Sequence, residues 1–139
     1  PAVRRIETAR ERRLAWMSPD EWLLFLPEAE APEALAALER ALAPRHALAT
    51  EVTDARILFR LTGRGAREVL AKGAPVDLSR GAFRPGDFRR TRLGQTAAAF
   101  GQVGEDPEEF ELMCFRSVAG HVRAWLDVAS APGTLPGVL

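Results

Sequence analysis

The chain is predicted to fold as an α+β domain, a mostly antiparallel sheet carrying about three helices. Three observations lead there. Stretches that alternate apolar and polar residues come in pairs around turn residues, which is the pattern of hairpins. Stretches with apolar residues every three or four positions follow those hairpins and do not alternate singly with strands, as parallel crossover units would. A length of 139 residues with 47% hydrophobic and 27% charged content is one ordinary globular domain's worth, enough to bury a core.

Residues 1–13 are charged with few apolar anchors and read as a flexible N-terminal arm. Leu14 to Met17 and Glu21 to Leu26 then read as two short strands around the turn Ser18-Pro19-Asp20. From Pro32, Leu35, Leu38 and Leu42 recur at helical spacing, which predicts an amphipathic helix that starts at a proline, closes before Pro44 and covers a sheet face. His46 to Thr53 and Ile57 to Thr62 alternate and are predicted as a second hairpin turning at residues 53–56. Gly63-Arg64-Gly65 breaks that strand and opens a short helix, Ala66 to Ala71, stopped by Gly73. Ala74 to Asp87 contains Pro75, Gly81, Pro85 and Gly86 without a period and reads as a long loop and contact surface. Phe88 to Leu93, Ala97 to Val103 and Phe110 to Phe115 are three further strands of an antiparallel meander. A last helix runs from an N-cap at Ser117 through Val122, Trp125, Leu126 and Ala129 toward Pro132. A single domain over residues 14–131 is thus followed by a loose tail, 132–139.

Composition excludes several function classes. Nineteen Lys and Arg balance nineteen Asp and Glu, so the long-range field that gathers nucleic acid or anionic lipid is missing at whole-chain level. No apolar run reaches the roughly 18 residues of a membrane span, and the charged start lacks the apolar run of a signal peptide. One cysteine and two histidines make neither an internal disulfide nor the usual Cys/His zinc shell, which fits a reducing, cytoplasmic setting. All the basic residues but Lys72 are Arg. GC-rich coding explains that bias, and so does selection of Arg for bidentate pairing at a protein interface.

Familiar chemistry is incomplete. Gly63-Arg64-Gly65 begins a phosphate-loop pattern, yet position 68 is Glu where a third glycine belongs; a strand-to-helix turn with a positive φ explains the glycines as well. Cys114 sits mid-strand between Met113 and Phe115, where a buried thiol has a raised pKa and is inert. His46 and His121 are each conceivable general bases, but neither has a carboxylate and a nucleophile at a supporting spacing. Glu105, Asp106, Glu108, Glu109 and Glu111 form the densest acidic run. They lack the interleaved spacing and central glycine of a calcium loop, so a solvated turn is expected. Alternation puts Arg90 and Arg92 on one strand face and Arg89 on the other. Trp16, Trp22 and Trp125 sit in apolar registers, as core residues or as interface anchors.

The order of motifs carries a resemblance. Ser18-Pro19-Asp20-Glu21-Trp22-Leu23-Leu24 is followed by Val52-Thr53-Asp54-Ala55-Arg56, by Leu58 to Gly73 with its Arg67-Glu68-Val69-Leu70, and by Pro75-Val76-Asp77-Leu78. Then come Phe83-Arg84-Pro85-Gly86, Thr91-Arg92-Leu93, Phe110-Glu111-Leu112 and Arg116-Ser117. Over about residues 14–130 this resembles the gamma subunit of heterotetrameric sarcosine oxidase. The stretches around Trp22 and Arg67 also look like the first half of the aminomethyltransferase fold of the glycine cleavage T-protein. The resemblance implies a ferredoxin-like, aminomethyltransferase folate-binding-domain-like chain. It implies a place in the complex that oxidatively demethylates sarcosine to glycine, with H2O2 and formaldehyde or 5,10-methylenetetrahydrofolate as products. In that family FAD, FMN and NAD belong to the alpha and beta subunits and zinc to delta, so this chain is expected to hold no cofactor or metal and to be inactive alone. Its expected partners are the alpha, beta and delta subunits, chiefly alpha, with neither nucleic acid nor membrane. The candidate interface residues are Trp22, Arg84, Arg89, Arg90, Arg92 and Trp125. The alternative is a free-standing folate-binding module of the same fold.

Overall fold

A computed structural model describes all residues 1–139. Seven strands form two antiparallel sheets, and three α-helices accompany them, so the α+β expectation holds. The first sheet has the order β1 (Ile6–Ala9), β2 (Arg12–Ser18), β3 (Glu21–Phe25). The second has the order β4 (Arg56–Thr62), β7 (Glu108–Phe115), β6 (Thr96–Glu105), β5 (Phe88–Leu93). The helices are α1 (Ala31–Leu42), α2 (Ala66–Ala71) and α3 (Ala119–Ala129).

Strand alternation explains why the four-stranded sheet is covered on both faces. Ala98 pairs with Cys114, Phe100 with Leu112 and Gln102 with Phe110; the apolar members of these pairs join α2 and α3 in the larger core. Ala99 and Met113, one position out of phase, point the other way and pack with Phe88 against Ile6, Ala15 and Met17 of the three-stranded sheet. The stack is therefore three layers deep, with the four-stranded sheet in the middle. Buried Phe83, from the loop after α2, has its ring 5.7 Å from Phe100 and 6.0 Å from Phe110.

Four expectations are corrected. Residues 1–13 are not a flexible arm. Ile6–Ala9 pairs with β2, Ile6 N–H donates to Gly86 O at 2.9 Å, and Phe88 N–H donates to Arg4 O at 2.9 Å. One buried residue, Ile6, anchors this strand, and a single apolar position has no period to read. Gly101 eases the close approach beneath it, because a Cβ there would lie 3.0 Å from Asp87 O and 3.7 Å from the Ile6 side chain. His46 to Thr53 is not a strand: the segment is exposed coil running into a 3-10 turn at Thr53–Ala55. Its expected partner β4 pairs with β7 instead, through seven residues without a register break. The third correction concerns Ser117, which lies within a 3-10 turn, Arg116–Val118, and caps nothing; Val118 is the N-cap of α3. The tail 132–139 is not loose either, since it folds back on α2 as described below.

Helix α1 lies where its periodicity predicts, with Pro32 in its first turn. None of its residues is fully buried, and neither core cluster contains one; Leu35 and Leu42 are half-buried.

Candidate functional site: internal polar clusters and a partly exposed apolar face

The polar chemistry of the interior is built around Arg67. Helix α2 points this side chain into the layer between the loop 74–87 and the four-stranded sheet, where it is 2% exposed. Nε donates to Glu108 Oε1 at 2.9 Å, one terminal nitrogen to Leu78 O at 2.5 Å and Phe83 O at 3.1 Å, and the other to Gln102 Oε1 at 3.0 Å. Gln102 in turn donates to Gly104 O at 3.0 Å. Arg80 reaches the same Glu108 oxygen at 2.8 Å. A buried guanidinium is tolerated only with such partners, and this one ties the loop to two strands.

A second cluster joins the sheets. Glu111, on the face of β7 that looks toward β2, accepts from Arg13 and, at 3.2 Å, from Arg60; Arg60 also meets Glu109 at 2.9 Å. The third belongs to the tail. Glu68 accepts backbone N–H bonds from Gly137 at 2.9 Å, Val138 at 2.5 Å and Leu139 at 3.0 Å. These donors, that of Leu139 foremost, hold the carboxyl below the usual glutamate range. Leu139 packs on the larger core, and the Leu135 side chain occupies the space a Cβ at Gly65 would need.

The acidic run thus differs from expectation: Glu108 and Glu111 are buried partners of arginines and not members of a solvated turn. Glu108 in phase with Phe110 and Leu112, Glu111 in phase with Met113, and Gln102 in phase with Ala98 and Phe100 are the signals the strands offer; Arg67 offers none. No three His, Cys, Asp or Glu side chains converge as metal ligands. Burial pushes the Cys114 thiol up, as expected for a core cysteine. His46 and His121 are exposed. Gly63 adopts φ 111° at the strand-to-helix turn, which accounts for it without a phosphate. A cleft of about 330 Å³ lies between Ile6, Thr8, Arg13, Gly86 and Gln102, and Arg13, the charged side chain lining it, is paired with Glu111.

The six candidate interface residues do not form one surface. Trp22, 52% exposed, stands on the outer face of the three-stranded sheet. Arg90 is beside it, bonded to Glu21 at 2.7 Å, and Arg92 shares the Arg90 face of β5, exposed and without an ion pair. Arg89 points to the helix side, over the Phe83 ring at 5.2 Å, and donates to Arg4 O at 3.0 Å. Arg84 is exposed in the loop, its own N–H held by Asp87 at 2.8 Å. Trp125, half-buried on α3, packs against the larger core and leaves no room for a Cβ at Gly73. The loop 74–87 turns Leu78 and Phe83 inward, so much of it is anchored structure and not contact surface.

A further apolar surface lies on the three-stranded sheet. Leu14 pairs with Leu24 and Trp16 with Trp22, in alternation with the buried Ala15 and Met17. All four therefore share the outer face of the first sheet, and neither core contains them. Leu35, Leu38 and Leu42 of α1 are likewise outside both cores.

These features define a class: a two-sheet α+β domain with mutually paired internal charges and an apolar outer sheet face on which Trp22 is exposed and Leu14, Trp16 and Leu24 are half-buried. The chain belongs to the sarcosine oxidase, gamma subunit family, whose model matches residues 1–132. Among solved structures it is similar to a chain of the heterotetrameric sarcosine oxidase from Corynebacterium sp. U-96, determined in complex with pyrrole 2-carboxylate. The TM-score is 0.84 at 26% identity, over 92% of this chain and 64% of that one. This chain thus spans just under two thirds of that neighbour's length. No curated protein matches it.

Proposed function

We propose that this chain is a non-catalytic structural subunit of a heterotetrameric sarcosine oxidase, the assembly that demethylates sarcosine to glycine. It docks chiefly on the alpha subunit, against the aminomethyltransferase-like part, while FAD, FMN, NAD and zinc reside in the partner subunits. Family membership and the likeness to a chain of such an enzyme support the reading. The observation that carries it is the outer sheet face. Trp16 and Trp22 stand side by side there, next to the Leu14–Leu24 pair, with Trp22 more than half exposed. Contiguous apolar surface left partly exposed on a folded domain marks an interaction site, and Trp is a residue that dominates binding energy when covered.

Co-expression with the alpha, beta and delta subunits tests the proposal. The wild-type chain is expected to co-purify in a stoichiometric complex, and Trp22→Arg to be lost from it while remaining folded. A monomer indifferent to alpha defeats the reading. Saturable quenching of its Trp fluorescence by tetrahydrofolate, in the absence of partners, favours a folate-binding module instead.

A further inference from the structure

The two edges of the four-stranded sheet are treated differently. Near β5 the chain covers its own backbone: Arg5 bridges Asp87, Phe88 N–H bonds to Arg4 O, and Gly94 N–H bonds to Gly73 O. Edge β4 has no such cover. Its register with β7 runs unbroken from Arg56 to Thr62, and Gly63 N–H continues the ladder by bonding to Glu108 O at 2.8 Å. In an antiparallel pair, hydrogen-bonded positions alternate with positions whose N–H and C=O point away. Counting back from Gly63, residues 61, 59 and 57 bond to β7, and Leu58, Arg60 and Thr62 direct their backbone groups to the free edge. No backbone bond outside the regular elements involves residues 57–62.

An open edge is ordinarily blunted by a proline, a bulge, an inward charge or a covering segment. Strand β4 has no proline and no bulge, and its central charge, Arg60, is turned to Glu109 and Glu111. Its flanks are unfinished as well. Phe59 and Leu61 pack on the larger core yet stay only partly covered, and Leu58 is 43% exposed on the opposite face. At the start of the strand, Arg56 lies over the Phe115 ring with its buried Nε unpartnered.

We infer that β4 accepts an extended segment of a partner subunit as a fifth strand of this sheet. The inference rests on the proposal that the chain is a subunit, and it places a second contact away from the Trp22 face. The occupant is defined by chemistry. It has apolar side chains at alternate positions to cover Phe59 and Leu61. On its other face it carries a carboxylate near Leu58, toward Arg56, whose Nε has no partner within the chain. Main-chain bonds to Leu58, Arg60 and Thr62 supply the register, as in other strand-addition complexes.

Hydrogen exchange read by mass spectrometry on the assembled complex and on the full chain alone tests this. Assembly is expected to slow exchange in a peptide covering residues 56–62 by about tenfold or more at three additional amides, as new backbone bonds do. Leu58→Pro, which removes an outward N–H that an edge strand does not need internally, is expected to weaken assembly about tenfold beyond Leu58→Ala. Unchanged exchange at these amides in a complex that does assemble overturns the inference and leaves the subunit reading standing. Protection already present in the chain alone, with a doubled mass, gives the edge to a second copy and also overturns it. A chain that joins no complex, its edge unprotected, removes both.

Discussion

Arg67 and Glu108 form an ion pair 2.9 Å long whose side chains are 2% and 4% exposed, between a six-residue helix and the first residue of β7. Forty-one residues separate them along the chain. The same guanidinium holds two loop carbonyls, so one side chain fixes the course of residues 78–83.

Removing one member of this pair leaves the other charged and desolvated. Arg67→Ala is expected to destabilise the chain by about 3–5 kcal/mol, the usual cost of breaking a buried pair. Glu108→Gln keeps an acceptor and should cost less. Urea unfolding of the variants, followed by Trp fluorescence, checks the order; equal midpoints for Arg67→Ala and wild type would refute the role of the cluster.

Phe83 is a packing anchor between Phe100 and Phe110. Phe83→Ala is expected to cost about 3–5 kcal/mol through lost burial and a residual cavity. A thermal melt reads the loss. A cost below about 1 kcal/mol would mean that the loop 74–87 repacks without its aromatic residue.

Two tryptophans should behave oppositely. Trp22→Ala, on the open face, is expected to change the stability of the chain by about 0.5 kcal/mol or less, while weakening assembly by about 2 kcal/mol or more if it is an anchor. Trp125→Ala removes a ring packed on the core and Gly73 and is expected to cost about 2–3 kcal/mol of stability. Parallel melts and pull-downs separate the two effects.

The tail should respond to acid. Glu68 titrates below the ordinary glutamate value because its ionised form accepts the tail N–H groups. A depressed carboxyl contributes stability that is full above the unfolded value of about 4.3 and is lost as pH falls through the lower folded value. Proteolysis within residues 133–139 is thus expected to accelerate below that range in the wild type. In Glu68→Gln it should be fast already at neutral pH, and a tail equally protected in both proteins would exclude the latch.

Cys114 is 1% exposed, and burial raises its thiol pKa. The thiolate is the reactive form, so labelling by an aromatic disulfide reagent at pH 8 is expected only at the rate of unfolding. Rapid labelling of the folded chain would place the thiol at the surface.

Much of the architecture is legible in local pattern. The hairpin around Pro19-Asp20, the helices over Leu35 and Trp125, and the meander from Phe88 to Phe115 follow from periods of two and 3.6 that hydropathy displays directly. The motif order from Trp22 to Trp125 also carries the family likeness. Long-range pairing is not displayed. Ile6–Ala9 is a strand because Gly86, Phe88 and β2 receive it, whereas His46 to Thr53 alternates as a strand would and finds no ladder to join.

The class of the fold, the positions of most elements, the inert buried thiol and the opposed faces of Arg89 and Arg90 follow from local pattern alone. Tertiary packing put Arg67, Glu108 and Glu111 in the interior, held the tail on Glu68, and left Trp22 and the β4 edge exposed. The physical reason is that burial of a charge depends on partners tens of residues away. The openness of a face or an edge depends on what the rest of the chain fails to cover, and no local pattern of side chains records either.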